Sequence, residues 1–401
     1  MSKLNVVILN GALRTVDNPL FEELDNAPTV FVYVLTPYYF SKGHYTGIPS
    51  VGENRWRYLF YRLQLLREEL KSKGAHDLLV LEGTYKQAVD TVRLKLNKEI
   101  HEIKAHVLYQ PYAYELAYQE ELQLGYRTRL IKRGISLFAV DDLVSIYKKS
   151  SSYFKSFHLN ALAAFSAIKY GSNPVTSLNT IDVGLSSIDG DKELNSANVV
   201  PCFNNLKNYE HRRNAISGLD TTKLEAALSH GILSKAQVVG IAYNQLNSKT
   251  IDQADFDGLL RSLIWNEYCF ILAHVHGRKI FYRHGLDKDL NKGQLKVLPD
   301  SVQTKDDWSL FYNRAMNQLR VTGYLPNRVR MMLGYYVIKV LGISHLAYAE
   351  YLEHYLVGYN PHNNWIGAHS CNGTGVDTVP GGRSFNIKRQ LDDYDYSGYY
   401  K

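Results

Sequence analysis

The chain has 401 residues, 45% of them apolar and 21% charged, which excludes a disordered, collagenous or coiled-coil protein and leaves room for two packed domains. Its 46 Lys and Arg exceed its 39 Asp and Glu, and the resulting charge of +7 permits a phosphate-bearing partner without demanding one. Cys202, Cys269 and Cys371 are too few and too scattered for a disulfide framework or a four-thiolate cluster, and no run approaches the ~20 apolar residues of a membrane span. A monomeric, cytoplasmic protein without membrane attachment is the expectation.

In chain order, residues 5–9 (NVVIL), 29–35 (TVFVYVL), 78–82 (LLVLE) and 105–109 (AHVLY) are short, apolar and β-branched, as strands buried on both faces are. Residues 54–73 place Trp56, Leu59, Phe60, Leu63, Leu66 and Leu70 on one helical face, with Gly74 as the stop. This alternation predicts a Rossmann-like α/β domain with a parallel sheet over residues 1–140. No GxGxxG or GxxxxGK[ST] accompanies it, so the usual nucleotide fingerprints are missing. Residues 141–205 turn to Ser, Asn, Asp and Gly and read as an interdomain linker with a helix near 160–169. Over 206–401 apolar residues recur at spacings of three and four in segments 221–228, 235–246, 256–276, 305–321, 327–341 and 344–357, which predicts an all-α domain. The run Asp392, Asp393 and Asp395 beside Tyr394 and Tyr396 reads as a solvated acidic tail. His274 and His276, two apart on a helix, point to different faces, and no metal site is expected.

Residues 220–235 (DTTKLEAALSHGILSK) carry a chemical signal of their own. Asp220 or Thr221 can cap a helix that buries Leu224, Ala227 and Leu228, leaving amides for an anion; Gly231 ends it and Ser234 caps the next. A plain helical corner has the same pattern.

The order of the later segments decides between them. The TTKLEAALSHGILSKAQ run resembles the flavin-phosphate segment T-S-x-L-S-x-x-L-x-x-G-x-L-S of the photolyase and cryptochrome family. Tyr209 and Arg213 precede it as that family's Y-x-x-x-R. SLIWNEYCF and AMNQLRVTGYLPNRVRMMLGYYVIKVLGI follow it, the latter resembling A-M-R-[EQ]-L-x-x-T-G-[FWY]-M-x-N-R-x-R-M. The segment from Asn364 to Gly375 and the closing RSFNIKRQLDDYDYSGYY resemble the DASH-type cryptochromes, and LNGALRTVDNPLF resembles the family's N-terminal motif.

The resemblance implies an α-helical FAD-binding domain behind the Rossmann-like antenna domain. The latter would carry a second, folate- or flavin-type chromophore. DNA, single-stranded or lesion-containing, is the implied partner, and the implied activity is light-dependent repair of cyclobutane pyrimidine dimers by a photolyase-type lyase, or blue-light sensing. Tyr209, Arg213, Thr221, Thr222, Lys223, Leu224, Glu225, Gly358, Tyr359, Asn360 and Asn364 are the implied cofactor-binding residues, with Asn364 and Arg330 at the reacting part of the flavin. Trp265, Ser262, Asn327, Arg328 and Met331 are the implied DNA-contacting set.

Several positions depart from the family. Glu225 replaces a Ser and would repel phosphate unless Lys223 or Arg213 pairs with it. The family's D-x-D aligns with Gly358 and Asn360, so Arg330 is expected to lack its carboxylate. The lesion-binding Glu aligns with Ser262, and a stacking aromatic with Ser370. The tryptophan chain aligns with Ala368 and His345, and Trp308 reads as a packing residue. With only 4 Trp against 31 Tyr, residual electron flow to the flavin is expected through Tyr335, Tyr336 and Tyr359. These losses also admit a degenerate homologue that keeps the scaffold as a nucleic-acid- or protein-binding module.

Overall fold

The computed structural model describes residues 3–24, 27–106, 115–151, 153–165, 178–185, 200–217, 221–282, 293–375 and 382–401. Among them, strands β1 (Lys3–Ile8), β2 (Thr29–Leu35), β3 (Leu78–Glu82), β4 (Glu99–His106) and β5 (Thr128–Ile131) form one parallel sheet in the order β3-β2-β1-β4-β5. Every residue of β2 is buried, because the sheet is covered on both faces. Val7, Phe31, Tyr33 and Leu35 face the Leu59, Leu63, Leu66 and Leu70 stripe of α1 (Glu53–Ser72). On the opposite face Val6, Val30, Val32 and Val34 meet Ala88, Val89 and Val92 of α2 (Tyr85–Leu96), with Leu122 of α3 (Glu115–Gly125) in the same cluster. Two features differ from the sequence pattern. β4 begins at Glu99 because its first half (EIHE) alternates polar residues, and β5 is a short, charged edge strand that lacks the apolar signature. Residues 107–109 of the expected fourth strand lie outside the described residues.

The helices that follow share one large core. α4 (Val140–Lys149) and α5 (Phe154–Phe165) occupy the segment expected to be a linker, yet Leu143, Ile146, Phe154 and Phe157 pack with α9 (Gln253–His276). α6 (Tyr209–Arg212), α7 (Leu224–Ser229) and α8 (Lys235–Asn247) lead into α9; α10 (Asp307–Thr322), α11 (Asn327–Tyr335) and α12 (His345–Tyr355) follow it. The expected 327–341 helix is continuous to Val340, but its last turn, Tyr336–Val340, widens to a π-turn closed by Leu341 N–H to the Tyr336 carbonyl at 3.0 Å. α13 (Pro361–Asn372) and α14 (Ile387–Tyr394) complete the set. The expected acidic tail is only partly solvated. Asp395 is buried and its carboxylate accepts from the backbone N–H groups of Tyr399, Tyr400 and Lys401, so it closes the C-terminal turn.

Residues 36–52 cross from the sheet domain to α12. The Glu350 carboxylate accepts from the N–H groups of Tyr45 (2.9 Å) and Thr46 (2.8 Å) and from the Thr46 hydroxyl (2.7 Å). Tyr38 donates its hydroxyl to Glu353 at 2.6 Å, while Arg55 of α1 donates to the Glu353 carbonyl (3.0 Å), the Ser50 carbonyl (2.9 Å) and the Tyr38 hydroxyl (3.0 Å). A second seam joins residues 11–17 to the α7–α8 corner. Arg14 donates to the Gly231 carbonyl at 2.9 Å, and Ser234 donates to Asp17.

Gly231 has φ +65°, and a Cβ there would run into the Gly11 carbonyl and lie 2.7 Å from the Ala12 Cα. Gly231→Ala is therefore expected to lower stability by about 1–3 kcal/mol, read as a fall in the thermal midpoint. Burial pushes the Glu353 carboxyl up to about 7, against the pull of Tyr38, Arg55 and Tyr359 and with Glu350 adding to the push. Between the ordinary 4.5 and about 7 the folded protein keeps a proton that the unfolded chain releases, so stability falls as pH rises through that window and levels above it. Urea unfolding across the window should show a shallower fall in Glu353→Gln than in the parent; identical slopes would contradict this.

Candidate functional site

The segment singled out by sequence sits where α6, α7 and α9 meet. Tyr209 donates its hydroxyl to Ser262 at 3.1 Å, and Ser262 donates to the Gly258 carbonyl at 3.0 Å, so the structure brings these two predicted residues together. Arg213 instead pairs with Glu210, at 2.9 and 3.2 Å. The expected helix cap is corrected. α7 starts at Leu224, its cap is Lys223 in the left-handed region (φ +52°), and the cap makes no side-chain hydrogen bond. The Thr221 hydroxyl is engaged with that of Tyr324, while its carbonyl accepts from Asn205 at 2.7 Å; Asp220 lies outside the described residues. Thr222 and Leu224 are buried. The end of the corner follows the sequence: Gly231 is left-handed after α7, and Ser234 forms a capping box with Gln237 at the start of α8.

The expectation that Arg330 lacks a carboxylate is overturned. Arg330 forms a two-pronged ion pair with Glu225, its Nη1 2.6 Å from Oε1 and its Nη2 bonded to Oε2. Arg330 is further fixed by Nε donating to the Leu325 carbonyl (2.9 Å) and by Tyr348 donating to the Arg330 carbonyl (2.6 Å). The expectation that Lys223 or Arg213 would have to neutralise Glu225 is likewise replaced: Arg330 supplies a guanidinium fork that a single ammonium does not match, and Arg213 spends its own fork on Glu210. Burial lowers the Arg330 pKa, but Glu225 outweighs it and the net direction is up. Gly358 packs against the same carboxylate arm: a Cβ there would lie 2.8 Å from Glu225 Cγ.

Asn360 is the cap of α13, accepting from the Asn363 N–H at 3.2 Å, a position Pro at N1 reinforces. Asn364, one turn on, is buried; its Nδ2 donates to the Ala349 carbonyl at 2.8 Å, while its Oδ1 is buried with no hydrogen-bond partner among the described residues. Both ring nitrogens of buried His362 are in the same condition, and burial, then Lys235, holds that imidazole well below its usual pKa. The Tyr359 hydroxyl accepts from Trp365 Nε1 at 3.0 Å, and Arg55 lies 4.9 Å from its ring centre. His362, Trp365, Tyr324 and Arg55 are additions to the predicted set. Trp365 had a signal, its place beside Asn364; Arg55 had none, since its partner on α12, the Glu353 carbonyl, lies 298 residues away.

The nucleic-acid set is scattered over several elements. Trp265 stands edge-on to Phe154 of α5 at 4.8 Å and is partly buried against the core. Asn327 opens α11 and is exposed. Arg328 lies 3.8 Å over the Tyr394 ring and donates to Gln390 at 2.7 Å; its Nε is buried without a partner among the described residues. Met331 contacts Cys371, 3.8 Å between sulfurs, and Ser370 accepts from Arg383 at 3.4 Å. Ala368 and His345 are buried, His345 with its ring 4.6 Å from that of His369. Trp308 stacks on Tyr336 and leans on Tyr335 and Phe311, as a packing residue. Tyr335 and Tyr336 thus fall in a different aromatic group from Tyr359.

The first domain matches the family model described as DNA photolyase over residues 5–157, and residues 314–401 match the model described as the FAD binding domain of DNA photolyase. The chain is 26% identical to a cryptochrome DASH from Idiomarina loihiensis, over 98% of this chain and 90% of that one. It is 25% identical to the cryptochrome DASH of Xenopus laevis over 100% of this chain and 82% of that one. Among solved structures, a Synechocystis cryptochrome superposes with a TM-score of 0.82 at 23% identity, covering 99% of this chain and 87% of that chain. A Sulfolobus tokodaii photolyase described as holding two FAD molecules superposes with a TM-score of 0.68 at 20% identity, covering 99% of this chain and 89% of that chain. From both family models, the near full-length relatives and the shared fold it follows that this chain belongs to the DNA photolyase and cryptochrome family, with its FAD-binding domain in the helical half.

Proposed function

We propose that this protein is an FAD-dependent blue-light flavoprotein acting, as a cytoplasmic monomer, on cyclobutane pyrimidine dimers in single-stranded or weakly paired DNA. The observation that carries the reading is the Asn364 side-chain oxygen, buried and without a donor among the described residues. A buried acceptor left unmet costs about 1–3 kcal/mol, and a ring N–H of a bound flavin would meet it. The two unpartnered nitrogens of His362, in the same helix, support the same fit. Bound FAD supplies the absorption of light and the electron lent to the dimer.

The chain's own residues bind, orient and shield. Tyr209, Arg213, Thr221, Thr222, Lys223 and Leu224 hold the diphosphate, and Glu225 does not repel it because its charge is cancelled by Arg330. Gly358, Tyr359 and Asn360 set the approach to Asn364. Trp265, Asn327, Arg328 and Met331 meet the DNA. Ser262 and Ser370 offer neither a carboxylate acceptor nor a stacking ring, and a lost base stack of about 1–3 kcal/mol weakens lesion binding roughly tenfold or more. That thinning favours blue-light sensing as the second reading. A second chromophore, folate- or flavin-type, belongs in this proposal to the sheet domain. The degenerate homologue that keeps the scaffold without repair, as a nucleic-acid- or protein-binding module, is the less favoured reading, since the FAD-binding model matches residues 314–401.

Protein purified in the dark should show flavin absorption bands, and Asn364→Ala should bind FAD about tenfold more weakly, the equivalent of one lost hydrogen bond. With the flavin chemically reduced, blue light should remove dimers from a single-stranded oligonucleotide. Retained dimers with light-responsive flavin bands would shift the reading to sensing, and a colourless protein that takes up no added FAD would overturn both.

A further inference from the structure

The ion pair between Glu225 and Arg330 joins α7 to α11, and its two side chains are only 25% and 13% exposed. A guanidinium so far out of water requires a counter-charge, and one partner removed leaves the other uncompensated. Arg330 has little freedom to look elsewhere, with its Nε held by the Leu325 carbonyl and its own carbonyl held by Tyr348. Arg213, the other guanidinium that the sequence offers to Glu225, is itself occupied by Glu210. Gly358 closes the arrangement. It is absent from the glycines with positive φ, so its backbone does not call for glycine. Space does: an ideal Cβ at 358 would lie 2.8 Å from Glu225 Cγ and 2.9 Å from the Ala226 nitrogen, closer than real Cβ contacts come.

We infer that Glu225 is the positioning residue for Arg330, and that Gly358 is glycine so that the Glu225 arm and the first turn of α7 that carries it can pass. A side chain at 358 meets the Ala226 backbone nitrogen as well as the Glu225 arm, so position 358 takes an acid only where the first turn of α7 yields. The arrangement has a consequence for the cofactor segment. The acid arises from the first turn of α7, immediately after residues 221–223, so the Arg330 guanidinium is tied to the diphosphate-holding segment rather than to the cap of α13. The part of this inference that concerns flavin rests on the function proposed above; the pairing itself does not.

The test transposes the acid in the full-length protein, using Glu225→Ser, Glu225→Gln, Gly358→Asp and the double variant Glu225→Ser/Gly358→Asp. Two quantities are read: the thermal midpoint of the flavin-free protein, and the dissociation constant for FAD from flavin fluorescence. Each single variant is expected to lower the midpoint and to weaken FAD binding about tenfold or more. The double variant is expected to recover part of both losses, because the Ala226 backbone still crowds a side chain at 358. A Glu225→Gln or Glu225→Ser protein with the midpoint and FAD affinity of the parent would overturn the inference, as would a Gly358→Asp protein as stable as the parent. Recovery of the midpoint without recovery of FAD affinity would reduce the pair to a structural strut and overturn the positioning role. Should the parent take up no FAD, the functional proposal fails while the midpoints still decide the pairing.

Discussion

A carboxylate withdrawn from water has to be answered inside the protein, and the arrangement of this molecule follows from where its buried acids find their answers. Glu267, fully buried on α9, meets Lys235 of α8 at 2.5 Å and the Leu137 N–H at 2.9 Å, which fixes α9 against α8 and the entry to α4. Glu225 meets Arg330 and fixes α7 against α11. Glu350 and Glu353 on α12 meet backbone and side chains of residues 38–46, and so the sheet domain is held to the helical one. Each acid bridges two elements that border the candidate site. The cofactor segment and α13 are thereby held in place by charge as well as by the apolar core.

Much of the architecture was legible in the residue pattern. Strands buried on both faces betray themselves as short, nearly continuous apolar runs, so the pattern bounds residues 29–35 and 78–82 to the residue. Long amphipathic helices such as α8 and α10 repeat at three and four and were found within a few residues. The failures have physical causes. β5 is an edge strand of four residues, and α13 is buried on nearly all sides, which erases the polar-to-apolar period that identifies a helix. At the site, sequence marked both Glu225 and Gly358 as odd. It could not show that they touch, nor that Arg330, 105 residues from Glu225, makes sense of the two together.

The tyrosine excess finds a structural use. These side chains fill core space with the ring and spend the hydroxyl on a specific acceptor: Tyr38 on Glu353, Tyr45 on the Phe281 carbonyl, Tyr209 on Ser262, Tyr348 on the Arg330 carbonyl and Tyr400 on Gln318. A phenylalanine would pack as well and leave those acceptors unmet. Part of the abundance that first stood out in the composition therefore belongs to hydrogen bonding within the fold, while Tyr335 and Tyr336 pack on Trp308, with the Tyr336 hydroxyl 3.5 Å from that of Ser309.

The seam between residues 38–55 and α12 joins parts of the chain that are up to 315 residues apart. At roughly 5–20 residues per second, a ribosome needs on the order of 15–60 s to make the stretch between them. Throughout that interval the 36–52 segment has its backbone donors ready and no acid to receive them. Docking of the two domains is thus a late event with a high loop-closure cost, and the newborn sheet domain spends its first minute with an unfinished surface that only the far end of its own chain can complete.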